Sequence, residues 1–338
     1  MDERYDVVVV GGGAAGLSGA VALSRARRSV LVVDAGEPRN APAGHVHNYL
    51  TREGITPADL TAAGRAEVEG YGGQVVSGTV TTARRREDGD FVLELADGRS
   101  VRARRLLVAT GLVDELPDVP GVAERWGRDV LHCPYCHGWE VRDQAVGILA
   151  TNPMSAHQAL LWRQWTADVT LFLHTAPALD ADQVKQLAAR GVRVVEGEVA
   201  ALEVTGDALT GVRLRSGEVV AREAMVVAPR FTARVGVLAS LGLAAVEQEM
   251  GGYVVGSAVP SDANGATAVP DVWVAGNVTD FKSQVIISAG AGLNAAAALN
   301  FDLVDEDVRL ALDANGPFAH ETEQRVSELV AGARRHGI

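Results

Sequence analysis

The hydrophobic pattern begins with Tyr5-Asp6-Val7-Val8-Val9-Val10, a β-branched run of the kind required by a strand buried on both faces of a parallel sheet. A glycine turn follows at once, then an Ala- and Leu-rich helical stretch from Ala14 to Arg27. A second apolar strand, Ser29 to Val33, ends at Asp34. This order predicts a βαβ unit. Apolar strands running into small-residue turns recur at Leu106-Leu107-Val108-Ala109-Thr110-Gly111 and at Asp271-Val272-Trp273-Val274-Ala275-Gly276-Asn277, and further strands are expected over Ala145 to Leu149 and Asp168 to Leu173. The most apolar late segment, Val285 to Leu303, is interrupted by Gly290, Gly292, Asn294 and Asn300. That predicts a tightly packed helix and not a membrane span. The tail from Asp305 to Ile338 reads as charged helix, and Arg84-Arg85-Arg86 as a solvated hairpin edge.

At 338 residues, 47% hydrophobic and 22% charged, the chain is long and apolar enough for two domains with real cores, which excludes disorder. A net charge of -12 leaves no basic stripe, so neither nucleic acid nor an anionic membrane is an expected partner. Met1 to Tyr5 carries charge directly into the first strand with no signal-peptide pattern, so a cytoplasmic location is expected.

The two cysteines stand together in Cys133-Pro134-Tyr135-Cys136, within disulfide reach of each other. A bridge across two residues closes too small a loop to restrict the unfolded chain much, so stabilisation is a poor reason for it. A closed zinc site needs four ligands, and no second Cys pair supplies them; the flanking His132 and His137 are too close in sequence to wrap one ion. In a reducing compartment the pair points to thiol redox chemistry.

Gly11, Gly13 and Gly16 fit G-x-G-x-x-G between the first strand and the first helix. Gly11 allows the turn, Gly13 lets a pyrophosphate approach the backbone, Gly16 lets helix and strand touch, and Asp34 is placed to hold ribose hydroxyls. Together these predict a dinucleotide site. The later small-residue turns resemble other parts of a flavoprotein, which favours FAD over NAD. The helix beginning near Gln284 is placed to aim its positive end at a flavin carbonyl.

With these parts in this order the chain resembles the low-molecular-weight thioredoxin reductases over nearly its whole length. The resemblance implies an α/β fold with two dinucleotide-binding, Rossmann-like domains, the second inserted in the first. The FAD domain would comprise 1–117 and 246–338, with a C-terminal helical tail, and the inserted nicotinamide-type domain 118–245 would carry the cysteine pair. Asp114, Glu115, Pro117 and Pro120 mark the outward crossing, and the return is expected near Gly242 to Gly251. The implied cofactor residues are Gly11, Gly13, Ala15, Gly16, Asp34, Ala35, Arg39, Asn40, His47, Asn48, Ala109, Thr110, Gly111, Gly276, Asn277, Gln284 and Val285. Arg39 would meet a phosphate or stand as an exposed turn residue. Asn277, where the family has aspartate, would still hydrogen-bond a ribityl hydroxyl.

A reductase of this family binds NADPH through a second glycine turn, and here the corresponding strand leads into Ala150-Thr151-Asn152-Pro153-Met154-Ser155-Ala156. Cβ atoms and a proline occupy the space a pyrophosphate needs. The family's His-Arg-Arg after the next strand reads His174-Thr175-Ala176, without guanidinium partners for a 2′-phosphate. No NADPH is expected to bind. The chain therefore resembles the family's dithiol oxidases, which close the disulfide in gliotoxin, holomycin and romidepsin biosynthesis. Cys-Pro-Tyr-Cys-His-Gly-Trp-Glu is most similar to the holomycin type.

That resemblance implies a homodimer, a small-molecule dithiol as substrate, molecular oxygen as final acceptor and hydrogen peroxide as by-product. Cys133 would meet the substrate and Cys136 the flavin. His137 stands where the family usually has an acid, and is the expected proton-transfer residue or else a residue ending a helix. His132 is a further candidate. Glu140 would orient an imidazole or compensate a helix dipole in a first turn, and His45 and His47 would line the pocket or sit in a loop. Trp139, Trp162 and Trp165 would wall an apolar pocket, although the spacing of the last two also suits packing. Two rivals share the pattern: a disulfide reductase fed by ferredoxin or a second flavin, and a non-catalytic thiol sensor.

Overall fold

The computed structural model describes residues 4–314 and 320–333, so residues 315–319 and 334–338 of the expected tail helix, and the first three of the charged start, lie outside the described residues. Strand β1 (Arg4–Val10), helix α1 (Ala14–Arg25) and strand β2 (Val30–Asp34) form the predicted βαβ unit, with β1 and β2 parallel. Helix α2 (Pro57–Gly70) starts at Thr56, whose side chain accepts from Asp59 N, with Pro57 at its first position. Then come β3 (Gln74–Ser77), the hairpin β4 (Val80–Arg85) and β5 (Phe91–Leu95), the long β6 (Ser100–Val108) and the crossing strand β7 (Leu112–Glu115). The arginines of β4 lie on an exposed edge as expected, with Arg85 stacked 4.5 Å over the Phe91 ring.

The inserted domain runs through α3 (Val122–Arg125), β8 (Val130–Leu131), α4 (Pro134–His137), β9 (Val146–Leu149), α5 (Ser155–Trp162), β10 (Val169–Phe172), α6 (Ala181–Ala189) and β11 (Arg193–Val195). It continues through β12 (Val199–Thr205), β13 (Ala208–Leu214), β14 (Val219–Val220) and β15 (Ala224–Val226). Its parallel sheet has the order β11-β10-β9-β15-β8. The antiparallel strands β12 to β14 share a core with one face of that sheet, and α5 and α6 cover the other. Strands buried on both faces explain why VGIL and VTLF lack polar alternation.

The return comes earlier than the sequence suggests. Strand β16 (Arg230–Ala233) pairs antiparallel with β7, from Arg230↔Glu115 to Ala233↔Leu112. After it come α7 (Gly236–Ala239), β17 (Val246–Met250) and β18 (Tyr253–Ala258), in a sheet ordered β17-β18-β16-β7. Ala233, Val237, Leu238 and Leu243 share a core with Tyr5, Leu106 and Val272, so residues 230–245 belong to the core of the first domain. The pairing with β7 that decides this leaves no local mark in the sequence.

The chain ends in β19 (Val272–Val274), α8 (Val285–Ala314) and α9 (His320–Ala333). The main sheet reads β3-β2-β1-β6-β5-β4, with β19 parallel to the end of β6. The carboxyl ends of β1, β2, β6 and β19 therefore lie together, where open α/β sheets bind ligands. By length and composition α8 could cross a membrane. Its face Ser288, Gly292, Ala296, Leu299 and Leu303 is instead buried. Gly292 is needed there, because a Cβ would stand 1.9 Å from the Ala15 carbonyl oxygen of α1.

Candidate active site

A cavity of about 850 Å³ opens at those strand ends and runs under the inserted domain. Gly11, with φ +106°, turns the chain out of β1 and donates its N–H to Val33 O at 2.9 Å. Gly13 caps α1 with nothing within 4 Å of the Cβ position, so its bare backbone and the start of α1 face the cavity. Gly16 lies behind the wall, its Cβ position only 1.9 Å from Gly11 O. The predicted division of labour among the three glycines has a geometric counterpart here.

Ala15, Asp34, Ala35, Asn40, His47, Ala109, Thr110, Gly111, Gly276, Gln284 and Val285 all line the cavity. Asp34 Oδ1 accepts from Gly12 N at 3.0 Å and its other oxygen is ion-paired with Arg65. Gly276 abuts Ala15, its Cβ position 2.8 Å from the Ala15 Cβ, which brings the late turn onto the start of α1. An open glycine cradle at a helix start, an acid at the end of β2 and a second helix beginning at Val285, just after Gln284, fit FAD.

Three expected cofactor residues have protein partners, although Arg39 and Asn277 also line the cavity. Arg39 grips Asp114 with Nε and Nη2 at 2.8 and 2.6 Å and Asn277 Oδ1 at 3.1 Å, and stacks over the Phe231 ring at 5.4 Å. The guanidinium fork is thus closed on a carboxylate. Asn277 donates to the carbonyls of Asp280 and Ser283, so its amide ties down the late loop. Asn48, outside the lining, donates to Tyr135 O at 2.6 Å and thus holds the cysteine turn.

Both cysteines line the cavity and are free thiols. Cys133 is the N-cap of α4, extended at φ -89°, with Pro134 at the first helical position. The Cys136 thiol donates to the Cys133 sulfur, and with the Cys136 and Tyr135 N–H groups and the Arg39 charge this outweighs burial, lowering the Cys133 pKa to about 7. Cys136 is pushed up, because losing its proton would break that hydrogen bond and place a second anion beside Cys133 in a buried site. The reduced pair thus holds one shared proton, with Cys133 the thiolate.

Five imidazoles line the cavity with the pair, His157 from α5 among them. His132 Nδ1 donates to Val227 O at 2.9 Å, which leaves Nε2 as the acceptor nitrogen, and burial holds its pKa down. Burial also lowers the His137 pKa, against an opposing pull from Glu140, so the ring is neutral and able to take a proton near pH 7. His45 and His47 both line the cavity, ring centroids 6.1 Å apart.

His47 is held between Glu53 Oε1, 2.6 Å from Nδ1, and Glu140 Oε1, 3.4 Å from Nε2. Glu140 lies beyond the end of α4, not in a first helical turn, and the ring it contacts is His47. Sequence reading missed Glu53, whose other oxygen accepts from Asn48 N at 2.8 Å; a surface glutamate in a polar loop gives no signal. The three expected tryptophans do not line the cavity, whereas Trp126 does. Trp162 is buried in the inserted core, Trp165 meets Tyr135 edge-on at 5.5 Å, and Trp139 is 66% exposed under Arg142.

At the carboxyl ends of β9 and β10, where a second dinucleotide would sit, the chain has closed in. Asn152 Oδ1 accepts from Met154 N, and the N–H groups of Thr175 and Ala176 point at Ala150 O. A void of about 40 Å³ lies behind this turn, while Asn152, Met154, His157 and Gln158 line the large cavity. His174 turns away, its Nδ1 accepting from Val199 N at 3.1 Å.

The model of the pyridine nucleotide-disulphide oxidoreductase family matches residues 5–299. The thioredoxin reductase sirT of Leptosphaeria maculans is 28% identical over 320 residues, covering 90% of this chain and 96% of that protein. Among solved structures, HlmI is 48% identical with a TM-score of 0.84, over 91% of this chain and 95% of HlmI. An oxidoreductase from Agrobacterium tumefaciens is 35% identical with a TM-score of 0.82, over 89% of this chain and 99% of that one.

Proposed function

The chain belongs to the pyridine nucleotide-disulphide oxidoreductase family as a thioredoxin-reductase-like flavoprotein with FAD as its cofactor, and from that premise we propose that it oxidises a small-molecule dithiol to an intramolecular disulfide. The observation that carries the reading is a contrast between two sites. The first cradle is open and faces a redox pair with a thiolate, while the second turn has no glycine cradle, carrying Asn152, Pro153 and Met154 with the Met154 N–H bonded to Asn152 Oδ1. An enzyme so built draws electrons from a thiol substrate and not from a nicotinamide.

In the proposed cycle a substrate thiolate attacks Sγ of Cys133 in the oxidised pair, the Cys133–Cys136 bond breaks, and Cys136 leaves as a thiolate. In that mixed disulfide Cys133 carries no charge, so both influences that raise Cys136 through its neighbour are gone. His137 takes the proton of the second substrate thiol. This sulfur attacks its partner in the mixed disulfide, closes the substrate ring and releases Cys133 as the thiolate the site is built to hold. Two electrons and two protons have left the substrate. When bound, FAD supplies the two-electron acceptor that reoxidises the pair and delivers the electrons to molecular oxygen, giving hydrogen peroxide.

The test uses the purified flavoprotein under nitrogen. Flavin bleaching by dithiothreitol but not by NADPH, followed by oxygen uptake on admitting air, is the expected result; bleaching by NADPH overturns the reading. A second reading, reduction of a protein disulfide with electrons from another donor, is favoured by Leu50, Tyr135 and Trp139, which stand 80%, 57% and 66% exposed at or near the cysteine turn. Absence of oxygen uptake with any small dithiol favours it.

The proposed location is the cytoplasm and the proposed state a homodimer. Phe301, Val304, Val308 and Leu312 support the latter, as an exposed apolar row at helical spacing along α8.

A further inference from the structure

Helix α5 has a face that its own domain does not use. Ser155, Ala156, Ala159 and Trp162 are buried in the inserted core. Met154, His157, Gln158 and Leu161, at i, i+3, i+4 and i+7, form the opposite stripe and line the large cavity. In a nicotinamide domain the start of this helix would face a pyrophosphate. Here the turn before it is packed shut and the flank of the helix looks out instead.

Across from it stands the β17–β18 hairpin of the first domain, which contributes Met250 and Tyr253 to the same cavity. Its tip is Gly251-Gly252, with φ +59° and +75°. The two walls meet there, the Met154 sulfur lying 3.2 Å from where a Gly251 Cβ would stand. No Asp, Glu, Lys or Arg belongs to this facing pair of segments where they line the cavity. The Gln158 amide makes no hydrogen bond within the protein among the described residues, and Met side chains adapt to irregular shapes.

Resting on the dithiol-oxidase reading, we infer that Met154, Gln158 and Leu161, with Met250 and Tyr253 opposite, form the wall that selects the dithiol by its non-reacting part. The segment that replaces the second glycine turn has become a specificity element. It favours an uncharged, apolar-bodied dithiol bearing one group able to hydrogen-bond an amide. Binding of the body there leaves the two sulfurs free to approach Cys133, which lines the same cavity.

The experiment compares dithiothreitol with 2-benzylpropane-1,3-dithiol in dithiol-dependent oxygen uptake, using the holoenzyme and its Met154→Ala and Leu161→Ala variants. Flavin absorbance per protein serves as the check on folding. The wild type should prefer the benzyl compound. In Met154→Ala and Leu161→Ala the ratio of kcat/KM values between the two dithiols should fall about tenfold through KM, the size expected for truncating one apolar contact. Leu161→Met should restore it. A wild type that oxidises both dithiols while the variants keep its ratio overturns the wall and leaves the oxidase reading standing. A wild type that oxidises neither overturns the oxidase reading itself.

Discussion

Cys136 donates its thiol proton toward Cys133, and this one relationship divides the labour of two chemically identical side chains. The pair was evident in the sequence, but its asymmetry comes from position: Cys133 caps α4 and collects N–H groups, while Cys136 sits one turn on with only its neighbour to bond. Alkylation of the reduced protein by iodoacetamide should therefore occur at Cys133 and rise with pH about a midpoint near 7. In Cys136→Ala the donor is lost and the midpoint should move upward, toward an ordinary thiol. An unchanged midpoint would show that the neighbour is not the cause.

The same lowered pKa fixes the sign of a stability effect. A thiol whose folded pKa lies below its unfolded value of about 8.5 stabilises the fold fully above that unfolded value and loses the contribution as pH falls through about 7. The reduced protein should thus lose stability between roughly pH 8.5 and 7 relative to Cys133→Ser, a difference visible in paired denaturant titrations.

Arg39 adds its charge to that site from a salt bridge with Asp114. Arg39→Met should shift the Cys133 alkylation midpoint upward while the flavin stays bound, since the guanidinium holds a carboxylate. Loss of flavin with an unmoved midpoint would return Arg39 to the cofactor.

His137 works as a base only when neutral, and burial keeps it so to below the ordinary histidine range. His137→Asn should lower kcat by about 10²-fold or more and remove the acidic limb from the pH profile. A profile identical in shape would assign that limb elsewhere, with His132 the next to test.

Gly292→Val puts methyl groups into the Ala15 carbonyl at the crossing of α1 and α8. Overpacking of this kind costs about 1–3 kcal/mol, and more where backbone is struck, so a clear fall in Tm is expected. The control Gly290→Ala, where nothing lies within 4 Å, should leave Tm close to the wild type.

What was legible in the sequence shares a physical character: it is local. The βαβ unit, the open Gly13, the redox turn and the lost second glycine turn each fit inside a short window where propensity and spacing act. Contacts between distant segments were not legible. Arg39 meets Asp114 and Asn277 from another part of the chain, Glu53 and Glu140 grip one imidazole from two domains, and β16 leaves the insertion early because β7 is waiting to pair with it. Each pairs ordinary surface-type residues whose meaning arises only once the sheets bring them together.

The crossing of α1 and α8 also orders events during synthesis. The seat prepared by the first helix has its far side only when β19 has paired with β6 and α8 has come to rest on Ala15. The inserted sheet, contiguous from β8 to β15, is complete before either has left the ribosome. Flavin loading is therefore a late step, and a nascent chain arrested before α8 would carry a folded redox turn without the means to hold its prosthetic group.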